Sequence, residues 1–248
     1  MTPWPVANPW SAPVFYVEST LSTMDDAQRL DEQGYPSGTV IAAGFQKRGR
    51  GRHAERVWTA EPGKNLLFTL SLHLSKGFPP QRLPLLAGLA LAQAVEERFG
   101  LAALVKWPND LLCRDRKLAG VLCLARIRPP QPPRALVGMG VNCNQRSFPP
   151  ELAGKACSLA GLLGREVALP ELLADVLAAL KEAMSDGNWR TRLQRRLYGV
   201  GRAAIVQDAG PPLAGRLLGV AEDGALLLES AGQIQPVYSG ELFFQSQP

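Results

Sequence analysis

Lys106-Trp107-Pro108-Asn109-Asp110, followed by Asp115-Arg116-Lys117-Leu118-Ala119-Gly120, is the stretch on which the reading of this chain turns. Leu104 to Trp107 reads as a strand, and Pro108 breaks it because proline brings no N–H to a ladder. Asn109 and Asp110 are short polar residues that bond their own backbone in turns. Together with Trp107 they make a rigid wall rather than a hinge. Lys117 then stands where a sharp polar turn enters an apolar run, Leu118 to Leu124. A lysine fixed at a strand entrance, beside a turn carrying two polar groups, suits a substrate with phosphates and a carboxylate.

Outward from this stretch the chain reads as mixed α and β. Leu118 to Ile127 and Ala135 to Val141 form two strands of a hairpin, joined by the proline-rich segment Arg128 to Arg134. Upstream, Val14 to Val17 is a short strand. Ser22 or Thr23 caps a helix reaching about Gln33, with Asp25 and Asp26 in its first turn where they complement the dipole. Thr39 to Phe45 is an apolar strand ending at Gln46. Leu66 to Leu72 alternates apolar residues with Thr and Ser, the pattern of a half-buried strand. Leu83 to Phe99 repeats at helical spacing and Gly100 closes it. After Asn142 an irregular stretch precedes helices over Pro170 to Met184 and Trp189 to Tyr198. The last fifty residues change to short strands between glycine turns, around Ala203–Gln207, Gly215–Val220, Ala225–Glu229 and Gln233–Tyr238, which reads as a small β-barrel. The expected organisation is a flexible lead-in over 1–13, a main domain over 14–198 and a small barrel over 199–248.

Composition narrows the function. At 248 residues with 46% apolar residues the chain has ample material for a core. Lys and Arg outnumber Asp and Glu 27 to 22, a modest excess that favours a small anionic ligand over a nucleic-acid coat. His53 and His73 are the only histidines, which argues against a zinc centre or a histidine-based hydrolase. Cys113, Cys123, Cys143 and Cys157 are widely spaced and read as buried reduced thiols. No stretch approaches the roughly 20 apolar residues of a membrane span, and residues 1–13 lack the form of a secretory signal. A cytoplasmic protein with no membrane partner is expected.

A second segment, Gln46-Lys47-Arg48-Gly49-Arg50-Gly51-Arg52, alternates glycine with arginine. Glycines free the backbone to face an anion and let the loop wrap a ligand. The pattern is weak alone, and it is not a Walker A loop, which occurs nowhere in the chain. Paired with the Lys106 to Gly120 segment, it resembles the signature of biotin protein ligases. The resemblance spans roughly residues 14 to 245. It extends to Ser22-Thr23, similar to the family's Ser-Thr-Asn element but with Met24 in place of the asparagine; Ser19-Thr20 is a second candidate. It also covers Gly138-Met139-Gly140-Val141-Asn142 and the loop from Phe148 to Leu159. The departure lies after Arg52, where His53-Ala54-Glu55-Arg56-Val57 intervenes before Trp58.

The resemblance implies an α+β fold, a mixed sheet with helices of the class II synthetase-like kind, followed by an SH3-like barrel. It implies ATP and Mg²⁺ as co-substrate and activator, biotin as substrate, and no tightly bound prosthetic group. The biotin side would comprise Ser22, Thr23, Gln46, Arg50, Gly51, Arg52 and Lys117, with Lys117 and Arg52 catalytic. The nucleotide side would comprise Arg50, Asn109, Asp110 and Asn142, with Asp110 the candidate for Mg²⁺. Gly120 would leave room beside the ligand. The expected acceptor is a biotin carboxyl carrier domain, and the expected assembly a monomer or homodimer. About thirteen residues precede the first strand, too few for a helix-turn-helix, so a ligase without repressor function or nucleic-acid partner is expected. The alternatives are a lipoate or octanoate ligase or transferase of the same fold, and a non-catalytic nucleic-acid-binding protein using the basic loop and barrel.

Overall fold

The computed structural model describes residues 1–52, 58–127, 130, 132–208 and 210–244. Eight strands, numbered in chain order, build the main sheet: β1 Thr2–Pro3, β2 Val14–Thr20, β3 Val40–Gln46, β4 Leu66–His73, β5 Leu104–Lys106, β6 Asp110–Cys113, β7 Arg116–Arg126 and β8 Arg134–Val141. Their spatial order is β1-β2-β3-β4-β8-β7-β6-β5. Only β2 and β3 run parallel among these neighbours, joined by helix α1, Thr23–Glu32. The remaining helices are α2 Leu83–Phe99, α3 Leu159–Leu163, α4 Leu169–Ser185 and α5 Trp189–Gln194. A second, five-stranded antiparallel sheet follows, ordered β12-β11-β10-β9-β13. Its strands are β9 Ala203–Gln207, β10 Leu213–Val220, β11 Leu226–Ser230, β12 Gln233–Val237 and β13 Glu241–Phe244.

The expected α+β class, a mixed sheet with helices and then a small β domain, is the one observed. α1 begins as expected: Ser22 is the N-cap and its side chain accepts from the Met24 amide. α2 ends at Gly100, whose φ of 66° is the left-handed conformation that favours glycine. Several expectations need correction. β4 is buried from Leu66 to Leu72 rather than half-buried. Its apolar residues Phe68 and Leu70 belong to the core beneath α2 and α4, while Thr69 and Ser71 face α1, so both faces are covered. β6 and β13 were not expected, because a four-residue strand beside a turn carries almost no periodicity. The second of the late helices stops at Gln194, four residues early. Residues 1–13, expected as a flexible lead-in, run beside the sheet: β1 pairs with β2, and Trp4 meets the ring of Tyr16 at 5.2 Å. His53 to Val57 and part of the Arg128 to Arg134 loop lie outside the described residues.

The small sheet is not a separate bead on the chain. Val206, Leu217, Leu228 and Leu242 belong to the same apolar cluster as the core of the main sheet. At the seam Tyr198 meets Phe244 edge-on at 5.3 Å, and the Arg202 guanidinium lies 4.7 Å from the Phe244 ring centre.

One polar group is buried beneath the opposite face of the sheet. Asp31, on the last turn of α1, accepts from Ser71 at 3.3 Å, from His73 Nε2 at 3.1 Å and from Arg134 at 3.1 Å. Burial pushes its carboxyl upward, but the hydrogen bonds and charges of Arg134 and His73 outweigh it and hold the group below its ordinary value of 3.8. The unfolded chain therefore binds that proton more readily. The stabilisation from Asp31 is full above about pH 4 and is lost as pH falls through the folded value. Asp31→Asn is expected to cost about 2 kcal/mol at neutral pH, or about 5 °C in Tm. Thermal melts from about pH 6 to about pH 3 should show a steeper acid loss in wild type than in the variant. Parallel curves would remove Asp31 from the acid response.

Candidate active site

A cavity of about 610 Å³ opens where the C-terminal end of β3, the N-terminus of α1, the middle of β7 and β8, and the start of β13 converge. Its floor is set by sheet register. Gly140 pairs with Leu67 on one side and with Gly120 on the other, and one step along Gly138 pairs with Thr69 and Leu122. Paired residues share a face of a sheet, so three glycines lie bare on the face that looks into the cavity. A Cβ on Gly140 would meet the Trp58 ring at 2.6 Å, and one on Gly120 would meet it at 3.0 Å. The indole thus lies across this bare strip, and its N–H has no partner among the described residues.

Lys117 projects over the same strip. Its backbone is pinned on both sides, the amide donating to the Lys155 carbonyl at 2.8 Å and the carbonyl accepting from the Cys157 amide at 2.9 Å. Asn142, buried, donates from its side chain to the carbonyls of Cys157 and Lys117 at 3.1 and 3.5 Å. The strand entrance expected from the sequence is therefore clamped while the side chain stays 39% exposed. Lys117 Nζ lies 2.6 Å from Asp110 Oδ1 and 5.7 Å from the Trp58 ring centre. Asp110 Oδ1 is buried and its contact with Lys117 lacks the alignment of a hydrogen bond, so the two meet as an ion pair. Asn109 donates from its side chain to the Val121 carbonyl at 2.9 Å, and that bond locks the turn against β7.

At the other end of the cavity, Gln46 Oε1 accepts from the Thr23 amide at 2.8 Å and from the Thr23 hydroxyl at 3.0 Å. That hydroxyl also meets Thr69 Oγ1 at 2.8 Å. The glycine-arginine loop leaves β3 here and is pinched at its neck, where the Trp58 amide donates to the Gly49 carbonyl at 3.0 Å. A Cβ on Gly49 would come within 2.8 Å of the Trp58 carbonyl oxygen, which is why the neck takes glycine. Arg50 reaches back to Asp25 in the first turn of α1. Arg52 reaches the opposite way and donates to the Gly240 carbonyl at 2.6 Å, just before β13.

All ten residues singled out in the sequence, Ser22, Thr23, Gln46, Arg50, Gly51, Arg52, Asn109, Asp110, Lys117 and Asn142, line this one cavity. The rival pair Ser19-Thr20 lies in β2 and is absent from the lining. Sequence reasoning missed Lys106, Lys155 and Trp58 as lining residues, and it missed the contribution of Glu241 to Phe243 from the small sheet. Trp58 had a signal: glycines at alternate positions of adjacent strands mark a close approach by something else. The cavity wall carries Arg50, Arg52, Lys106, Lys117 and Lys155 against Asp110, Glu151 and Glu241, an excess of positive charge suited to anions.

Gly140→Val tests the bare strip. The added side chain would meet the Trp58 ring and push it into the cavity while leaving the opposite core untouched, so we expect the fold to survive and the KM for the acid substrate to rise by about a hundredfold. An unchanged KM would place the substrate elsewhere.

This geometry agrees with what the chain resembles. Residues 16–142 match the biotin/lipoate A/B protein ligase family and residues 200–245 match the biotin protein ligase C-terminal domain. A biotin–[acetyl-CoA-carboxylase] ligase of Paracoccus denitrificans is 30% identical over 243 residues, covering 91% of this chain and 98% of that protein. The bifunctional ligase/repressor BirA of Bacillus spizizenii is 30% identical over 240 residues, covering 92% of this chain and 73% of that protein. Among solved structures, the biotin protein ligase of Aquifex aeolicus in complex with biotin and ATP superimposes with a TM-score of 0.81 at 27% identity, covering 94% of this chain and 99% of that one. The chain belongs to the biotin/lipoate A/B protein ligase family. Within that family it is a ligase of the biotin-activating kind. No helix among the described residues is long and apolar enough to cross a membrane.

Proposed function

We propose that this chain condenses biotin with ATP to biotinyl-5′-AMP and then transfers the biotinyl group to a lysine of a biotin carboxyl carrier domain in the cytoplasm. The observation that carries the reading is the cavity itself, with hydrogen-bonding side chains at one end, a glycine strip overlaid by Trp58 and Met24 in the middle and cations around Lys117. Ser22, Thr23 and Gln46 face the ureido end of biotin. Gln46 Oε1 is already occupied by Thr23, so its amide N–H is the group left to donate. The valeryl chain runs along the Trp58 ring, which lies over Gly140 and Gly120, towards Lys117.

In the first step a carboxylate oxygen of biotin attacks the α-phosphorus of ATP, the bond to the β-phosphate oxygen breaks, and pyrophosphate leaves. Two anions must approach, and Lys117, Arg50 and Arg52 offset their repulsion while holding the centres in line. Mg²⁺ bound with ATP supplies further charge neutralisation of the phosphates. Asp110, whose buried Oδ1 has no hydrogen-bond partner among the described residues, would hold it. A single carboxylate fits, since Mg²⁺ takes one or two protein carboxylates together with substrate phosphates. On binding, Lys117 passes from its Asp110 contact to the reacting anions. Asn109 and Asn142 serve the nucleotide side through the rigid turn and loop they fix. In the second step the neutral amine of the carrier lysine attacks the acyl carbon, the C–O bond to AMP breaks, and the amine proton is lost. Gly51 and the flanking arginines close over the water-sensitive anhydride between the steps.

The test is ATP–pyrophosphate exchange. Biotin with Mg²⁺ should support exchange of label from pyrophosphate into ATP, and octanoate or lipoate should not. Exchange driven by octanoate or lipoate alone would move the chain to the lipoate branch of the family.

A further inference from the structure

Met24, the second residue of α1, is 4% exposed yet forms part of the cavity wall. Its sulfur rests over Gly138, where a Cβ would lie 2.7 Å from Sδ. The gap that Gly138 leaves in the row Thr69–Gly138–Leu122 is thus taken by a thioether. On one side of that sulfur stand polar groups, the Thr23 hydroxyl meeting Thr69 at 2.8 Å and Gln46 at 3.0 Å. Across Gly138 from Thr69 in that row stands Leu122, which also lines the cavity. This end of the cavity is therefore split, polar at one edge and apolar at the other, within two residues of the chain. A rigid ring with one hydrogen-bonding edge and one apolar edge fits such a split. Biotin has that form, a ureido ring fused to a sulfur-containing ring.

We infer that Met24 is a specificity-determining residue for the ring end of the acid. Its thioether packs on the sulfur-bearing edge while Thr23 and Gln46 face the ureido edge, and Gly138 is glycine so that the thioether can sit back from the ring. This rests on the biotin-ligase reading above and deepens it. An apolar, polarizable wall accepts a thioether ring and rejects the same ring carrying polar oxygens on sulfur, which would be buried without partners.

The experiment compares kcat/KM for biotin and for biotin sulfone, with a carrier domain as acceptor. Wild type should discriminate against the sulfone. Met24→Ala opens space and admits water at that edge, and should raise the sulfone-to-biotin ratio about tenfold, chiefly through KM. Met24→Leu, apolar and similar in size, should leave the ratio within about twofold. Gly138→Ala should push the thioether towards the ring, raising the KM for biotin and lowering the ratio further. The double variant Met24→Ala with Gly138→Ala should relieve that rise. An unchanged ratio in Met24→Ala, with biotin still turned over, would overturn the inference. Should Met24→Ala not fold, the Gly138→Ala arm carries the test, and an unchanged ratio there would also overturn it. No turnover of biotin by wild type would instead overturn the functional reading.

Discussion

Replacing Lys117 by alanine is expected to slow adenylate formation by about two to three orders of magnitude, the loss typical of one preorganised charge at a developing anion. The fold should persist, because the side chain projects into the cavity and only the backbone of Lys117 is bound into β7. The variant also leaves the Asp110 carboxylate at the reacting centre without its partner at 2.6 Å, which adds repulsion against ATP. Removing that carboxylate as well, in Lys117→Ala with Asp110→Asn, should recover no activity, because Asp110 is also the residue assigned to Mg²⁺. Lys117→Arg keeps the charge but spreads it over a planar fork, and should recover little because the task calls for a compact charge between two anions. Single-turnover formation of adenylate at a wild-type rate in Lys117→Ala would remove this residue from the chemistry.

Arg52→Gly should separate formation of the adenylate from its retention. Arg52 bridges the loop to the Gly240 carbonyl, so it ties the loop to the small sheet rather than to the sheet that carries Lys117. Removing it should shorten the residence time of the adenylate by about a hundredfold while slowing its formation far less. Released adenylate acylates exposed lysines without selection, so the variant should label albumin added to the reaction. A variant that holds its adenylate as long as wild type and labels only the carrier would assign the lid to other residues.

The shared core alters what a truncation can show. A cut after Tyr198 removes Val206, Leu217, Leu228 and Leu242 from an apolar cluster continuous with the main domain. It also removes Glu241 to Phe243 from the cavity wall. The small domain cannot be removed without baring part of the main core, so point changes at the Arg52–Gly240 contact are the cleaner probe.

The legible part of this fold lay where pattern and local chemistry agree. The α1 cap at Ser22, the α2 stop at Gly100 and the β7–β8 hairpin follow from capping, left-handed glycine and long apolar runs. That the ten candidate residues gather around one cavity was legible because a short motif fixes both residue type and spacing. Burial of β4 on two faces was not, since Thr69 and Ser71 look solvent-facing until α1 covers them with Thr23 and Asp31. β6 and β13 were too short to show a period, and only their partners reveal them. The place of Trp58 across Gly120 and Gly140 depends on strand register, which a linear reading does not supply. The same is true of Met24, whose meaning appears only once Gly138 is seen beneath it.

The measurement that bears most directly on the central claim is intact-mass analysis of a biotin carboxyl carrier domain incubated with this protein, biotin, ATP and Mg²⁺. The account predicts one biotinyl group on one lysine, with one AMP and one pyrophosphate released per carrier modified and no reaction when ATP is omitted. A carrier that stays unmodified while the protein is folded and binds biotin, or one modified equally well with lipoate in place of biotin, would contradict it.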